Sequence, residues 1–152
     1  MINEIKGDLF NEERNREENL AHCVSRCFTM GKGIAVEFKE RFGRVDELKA
    51  QNKKIGEVAY LSFPSEGKQK QEQKQRYIFY LITKEKYYGK PTYDTLRDSL
   101  IDLKNLMLKL ELKSVSMPKI GCGLDRLDWD IVKNIILQIF KDTGITINVY
   151  YL

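Results

Sequence analysis

Met117-Pro118-Lys119-Ile120-Gly121-Cys122-Gly123-Leu124-Asp125 leaves a short apolar strand and enters a helix. Gly121 and Gly123 flank one small residue, so the backbone there can adopt φ > 0 and approach a ligand closely. Successive exposed N–H groups beside a helix start form a cradle for an anion such as phosphate. Asp125 stands at the rim of that cradle. A phosphate seat beside a carboxylate points to chemistry on a phosphorylated sugar.

Outward from this loop, apolar patterning alternates between strand and helix. Residues 115–117 read as the strand before the loop. Ile131, Val132, Ile135, Ile136, Ile139 and Phe140 give the helix after it one buried face, with Gly144 ending that helix and a last strand over 145–151. Upstream, Thr92 can cap a helix whose apolar stripe is Leu96, Leu100, Leu103, Met107 and Leu110. Strands are expected over 2–5, 20–24, 57–63 and 76–83. Gly31-Lys32-Gly33 opens a helix with Ile34, Ala35, Phe38 and Phe42 on one face, and 45–52 is a further helix. Residues 64–75 are polar and of low complexity, which predicts a mobile hairpin loop between two strands. Strands separated by helices imply βαβ crossovers, hence a largely parallel or mixed sheet covered on both faces.

Length and composition fit that class. A chain of 152 residues suits one domain spanning 1–152 and can bury a real core. The net charge of +4 is compatible with an anionic ligand and too small to imply nucleic acid alone. Three cysteines (Cys23, Cys27, Cys122) make no disulfide framework. With no signal peptide recognisable, they favour an intracellular setting, nuclear or cytoplasmic. No apolar run approaches the roughly 20 residues that span a bilayer, and a monomer is expected.

In open α/β sheets, ligands sit outside the carboxyl ends of the strands. Ser25, Lys84 and Gly121 through Asp125 each follow a strand, so parallel strands would gather them at one edge. Met30-Gly31-Lys32-Gly33-Ile34-Ala35 repeats the logic of the first loop, and two such loops could grip a pyrophosphate from opposite sides. Tight strand-to-helix turns are the plainer reading. Asp8, after Gly7, could accept from an exocyclic amine such as adenine's, although spacing alone favours a turn residue. Lys84 is either a solvated strand terminus or a nucleophilic amine attacking a sugar carbon or carbonyl. His22, Cys23 and Cys27 lack zinc-site spacing and read as core. No cysteine–histidine dyad can be named, so cysteine catalysis is set aside. Tyr87-Tyr88-Gly89-Lys90-Pro91 mixes aromatics with bases, which suits a loop flanking a ligand mouth better than a free-standing nucleic-acid site. Trp129 reads as core.

Together, Gly7-Asp8-Leu9, Leu20-Ala21-His22-Cys23-Val24-Ser25, Met30 through Ala35, Leu81-Ile82-Thr83-Lys84, Lys90-Pro91-Thr92-Tyr93 and Ser116 through Leu127 resemble the macrodomain family. They are most similar to its terminal ADP-ribose protein glycohydrolase, or O-acyl-ADP-ribose deacylase, subgroup. The resemblance covers nearly the whole chain and implies a three-layer α/β/α fold binding ADP-ribose. By that resemblance Asp8 and Leu9 contact adenine, and Ser25 lies near the proximal part of the ligand. Gly31, Gly33, Ile34 and Ala35, with Lys119, Ile120, Gly121, Cys122, Gly123 and Leu124, wrap the pyrophosphate and distal ribose. Leu152 closes against the nucleoside. The resemblance further implies that Lys84 attacks the distal ribose, displacing a Glu or Asp carboxylate, while Asp125 acts as acid/base. No metal or cofactor is implied. The expected partners are ADP-ribose, ADP-ribosylated proteins, O-acyl-ADP-ribose and, in a related branch, ADP-ribosylated DNA. A non-catalytic ADP-ribose reader would keep the glycine loops and Asp8 but would not need Lys84 and Asp125 together. A small nucleic-acid module using the basic 64–75 segment is the remaining alternative.

Overall fold

The computed structural model describes residues 1–11, 13–64 and 75–152. Six strands, β1 (Ile2–Lys6), β2 (Leu20–Ser25), β3 (Val58–Pro64), β4 (Gln75–Lys84), β5 (Ser114–Pro118) and β6 (Thr146–Tyr151), form one sheet. Its order is β1-β6-β5-β2-β4-β3. Neighbouring pairs are parallel except β3 with β4, so the expected mixed, largely parallel sheet is what forms. Among the described residues four helices cover it: α1 (Ile34–Phe42), α2 (Val45–Ala50), α3 (Tyr93–Lys109) and α4 (Trp129–Phe140). A short 3-10 turn at Glu13–Arg16, which has no apolar periodicity to announce it, lies between β1 and β2.

Strand alternation divides the core into two layers. Ala21, Phe79, Leu81, Val115, Met117, Ile147 and Val149 face α3 and α4. Leu20, Val24, Ile78, Tyr80 and Ile82 turn the other way with Phe38 of α1 and Leu48 of α2. The stripe Leu96, Leu100, Leu103 and Met107 is fully buried, whereas Leu110 is the C-cap of α3 and only partly covered. On α4 the buried face is Val132, Ile135, Ile136 and Phe140. Ile131, expected on that face, is 45% exposed because it lies about 100° round the helix from Val132, on the flank. Helix α4 also ends at Phe140, before Gly144, since Lys141 leaves the helical region and Asp142 is left-handed.

His22 and Cys23 do lie in a central strand. The His22 ring is fully buried and stacks on Phe38 with centroids 3.7 Å apart. Trp129 opens α4 only partly buried, its Nε1 donating to Glu4 at 2.7 Å. Pro64 and Gln75 pair as the last and first residues of antiparallel strands, so both belong to the sheet; the expected mobile loop between them lies outside the described residues. The three cysteines are free thiols. No helix among the described residues is long and apolar enough to cross a membrane.

Candidate active site

Parallel pairing of β2 with β4 and β5 brings the ends of these strands, Ser25, Lys84 and Pro118, to one sheet edge. The approach of Lys84 is set by a bulge. Val24 pairs with Ile82 and Ser25 with Lys84, which leaves Thr83 as an extra residue in β4 without a partner on β2. Bulges of this kind re-aim the following side chain. Lys84 Nζ donates to Asp125 Oδ1 at 2.7 Å, with the two side chains only 15% and 18% exposed. A strand end and a glycine loop 41 residues apart therefore present one half-buried ion pair.

Asp125 reaches Lys84 because its loop folds back on itself. Gly121 takes φ +72°, Cys122 N donates to Lys119 O at 3.2 Å, and Leu127 N donates to Gly121 O at 2.7 Å. The cradle is not a helix N-terminus, contrary to expectation. Helix α4 begins only at Trp129, with Asp128 as N-cap accepting from Asp130 N at 2.9 Å. Arg126 at φ +61° breaks any earlier helical start. The glycine-loop amides belong to turns.

The first glycine loop does open a helix. Gly33 is the N-cap of α1 at φ +63°, and no side chain caps that end. Its leading N–H groups at Ile34 and Ala35 thus face outward without intrahelical partners, the arrangement that holds anions. The two loops meet: a Cβ placed on Gly33 would lie 3.3 Å from Leu124 Cδ1. Leu124 is otherwise 68% exposed, an apolar flap at the rim.

The other residues expected to contact ligand vary in exposure and in their partners. Asp8 Oδ1 accepts from Phe10 N at 2.9 Å, so one carboxylate oxygen is engaged in the local turn, and Oδ2 lies 3.5 Å from Asn11 Nδ2. Leu9 and Ile120 have buried side chains, leaving chiefly backbone to offer a ligand. The Lys119 ammonium packs over the rings of Tyr151 (4.7 Å) and Trp129 (5.6 Å), directing its charge to β6 and α4. Leu152 stands in solvent at 92% exposure. Ser25 is buried, its Oγ 3.0 Å from Cys27 Sγ.

Sequence reading passed over the surroundings of Cys27. Burial pushes this thiol up, but hydrogen bonds with Ser25 and Thr29 and backbone contacts with Thr29 and Tyr87 bring it down to about 7. Cys122, in the glycine loop, is pushed up to about 11 chiefly by burial, which suits a packing role. Tyr87 and Tyr88, three and four residues beyond Lys84, are 57% and 73% exposed with exposed Lys86 and Lys90 beside them.

The arrangement holds an amine and a carboxylate in contact beside two glycine loops whose amides suit phosphate. Such a site can exchange a proton between its two members while attacking an electrophilic sugar carbon. The chain is similar to known proteins along nearly its whole length. The Macro domain family matches residues 21–136. The Bos taurus protein named ADP-ribose glycohydrolase OARD1 is 48% identical over 151 residues, which is 99% of this chain and 91% of that protein. A DNA ADP-ribosyl glycohydrolase of Mycobacterium tuberculosis (strain ATCC 25618 / H37Rv) is 30% identical over 143 residues, 93% of this chain and 39% of its own. The solved macrodomain of Thermus aquaticus DarG superposes with a TM-score of 0.79 at 25% identity, covering 100% of this chain and 99% of that one. Family model, sequence identity and fold agree: this chain belongs to the macrodomain family.

Proposed function

We propose that this chain, an ADP-ribose glycohydrolase of the macrodomain family, releases ADP-ribose from the Glu and Asp esters of modified proteins and deacylates O-acyl-ADP-ribose in the same pocket. The observation that carries the reading is the contact of Lys84 Nζ with Asp125 Oδ1 at 2.7 Å, at the edge where the two glycine loops meet. Asp125 takes a proton from the Lys84 ammonium and frees the amine lone pair. That pair forms a bond to the anomeric carbon of the distal ribose as the carboxylate leaves with the electrons of the broken C–O bond. A carboxylate is a good leaving group, so one nucleophile and one acid/base suffice. Asp125 passes that proton to the departed carboxylate, then takes a proton from the water whose oxygen bonds the anomeric carbon as the C–N bond breaks. It returns this proton to the Lys84 amine, which leaves with the C–N electrons. Meanwhile Gly33, Ile34 and Ala35 on one side, and the Gly121–Gly123 turns on the other, hold the pyrophosphate with backbone N–H groups.

The test is a Lys84→Ala variant. It is expected to bind ADP-ribose with near wild-type affinity in calorimetry and to release none from a glutamate-linked ADP-ribosyl protein. Full release by the variant would remove the lysine from the mechanism. A pocket that only reads ADP-ribose would need no such ion pair, so release by the wild type also separates enzyme from reader. One feature favours a second substrate, ADP-ribose on a DNA base: exposed Tyr87 and Tyr88 with Lys86 and Lys90 beside the nucleophile suit an unstacked base and its backbone. Side-by-side release from modified oligonucleotide and modified protein decides which linkage is preferred.

A further inference from the structure

The site described so far leaves one element unused, the first turn of α3. This helix carries none of the residues assigned to the pyrophosphate, yet its opening residues touch the supports of both members of the Lys84–Asp125 pair. The bulge strips Thr83 of a ladder partner on β2, and its carbonyl accepts instead from the Thr95 hydroxyl at 2.8 Å. That hydroxyl is itself oriented, because Thr95 Oγ1 accepts from Thr92 N at 3.0 Å. A hydroxyl has one proton to give. The alternative acceptor, Thr92 O at 3.0 Å, is farther and already receives Leu96 N–H at 3.0 Å. On the other side of Lys84, its carbonyl accepts from Arg26 N at 2.8 Å. Both peptide planes flanking the lysine Cα are thereby fixed.

The carboxylate half is tied to the same turn. Tyr93 Oη accepts from Asp128 N at 3.0 Å, three residues past Asp125 and at the end of the loop that Leu127 closes onto Gly121. The reciprocal capping box between Thr92 and Thr95 would be complete without either outside contact. The reach to Thr83 and to Asp128 is therefore surplus to capping the helix.

We infer that the first turn of α3 is the positioning element of the active pair, with Thr95 setting the backbone of Lys84 and Tyr93 setting the end of the Asp125 loop. The inference rests on the reading of Lys84 and Asp125 given above. Neither Thr95 nor Tyr93 is assigned contact with substrate; each acts through a backbone group. A misplacement of about 1 Å at a reacting group can cost on the order of a hundred-fold in rate.

Full-length Thr95→Val, Thr95→Ser and Tyr93→Phe chains test this, using single-turnover release from a glutamate-linked ADP-ribosyl protein and calorimetric affinity for ADP-ribose. Thr95→Val and Tyr93→Phe are each expected to slow release about ten-fold or more while affinity stays within about two-fold, and Thr95→Ser to recover most of the rate. If both disruptive variants release at the wild-type rate, or if rate and affinity fall together, the positioning role is overturned. Tyr93→Phe removes only an acceptor for a solvent-accessible N–H, so it decides the matter should Thr95→Val fail to fold. Lys84→Ala is run alongside. Activity retained there overturns the reading of the pair itself. An inactive Lys84→Ala with fully active Thr95 and Tyr93 variants overturns the positioning role alone.

Discussion

Gly121 and Gly33 hold left-handed backbone at φ +72° and +63°, and each stands where a loop must turn toward the shared sheet edge. A Cβ at Gly121 would lie 2.9 Å from Leu127 Cδ1, a side chain that can shift, so the dominant cost of Gly121→Ala is backbone strain. That cost is about 1–2 kcal/mol, and it falls on the turn that presents Asp125. Gly121→Ala is expected to lower the urea midpoint accordingly and to weaken ADP-ribose binding several-fold by calorimetry. Asp125 has its own test. If it resolves a lysyl intermediate, Asp125→Ala exposed to substrate in mildly alkaline buffer, which takes over the first proton abstraction, accumulates one ADP-ribosyl mass on the peptide containing Lys84, seen by mass spectrometry. Absence of that mass in both variant and wild type points to direct attack by water. These residues were legible in the sequence as types: a lysine at a strand end, an aspartate after paired glycines. Their contact was not, because it depends on a bulge at Thr83 that no local pattern encodes.

Among the elements, strands β2, β4 and β5 and helices α3 and α4 announce themselves by periodicity, since each buries one regular face in a continuous core. Boundaries were less legible. Helix α4 was expected directly after the glycine loop, yet it starts at Trp129 because Asp128 caps it and Arg126 is left-handed. Asp128→Ala removes the bond to Asp130 N and is expected to cost about 1 kcal/mol, or about 2–4 °C in Tm by calorimetric scan. An unchanged Tm would mean that solvent caps this end equally well. The Glu13–Arg16 turn went unseen for a different reason: four consecutive polar residues carry no hydrophobic period and are held by tertiary contacts, as in the 2.6 Å bond from Arg76 Nη2 to Asn15 O.

At the scale of the molecule, the sheet buries His22 between Phe38 and Tyr80, with neither ring nitrogen bonded to another group among the described residues. Burial holds this imidazole at about 3, against an ordinary value of 6.5. The folded state therefore refuses a proton that the unfolded chain accepts once pH falls below 6.5. Stability is complete above that value and declines as pH drops toward 3, with about 2 kcal/mol lost by pH 5. His22→Phe is expected to flatten this part of the urea-stability profile between pH 7 and 5; an unaltered slope would assign the acid sensitivity to other groups. By itself, the sequence determined the layered α/β class, the two glycine loops and the candidates Lys84 and Asp125, because periodicity and turn chemistry are local properties. Only the tertiary structure decided that the loops touch at Gly33 and Leu124, that Lys119 turns to Tyr151 and Trp129, and that Lys84 meets Asp125. Those outcomes depend on strand order and register, which join residues far apart in the chain and are fixed when the two faces of the sheet are packed together.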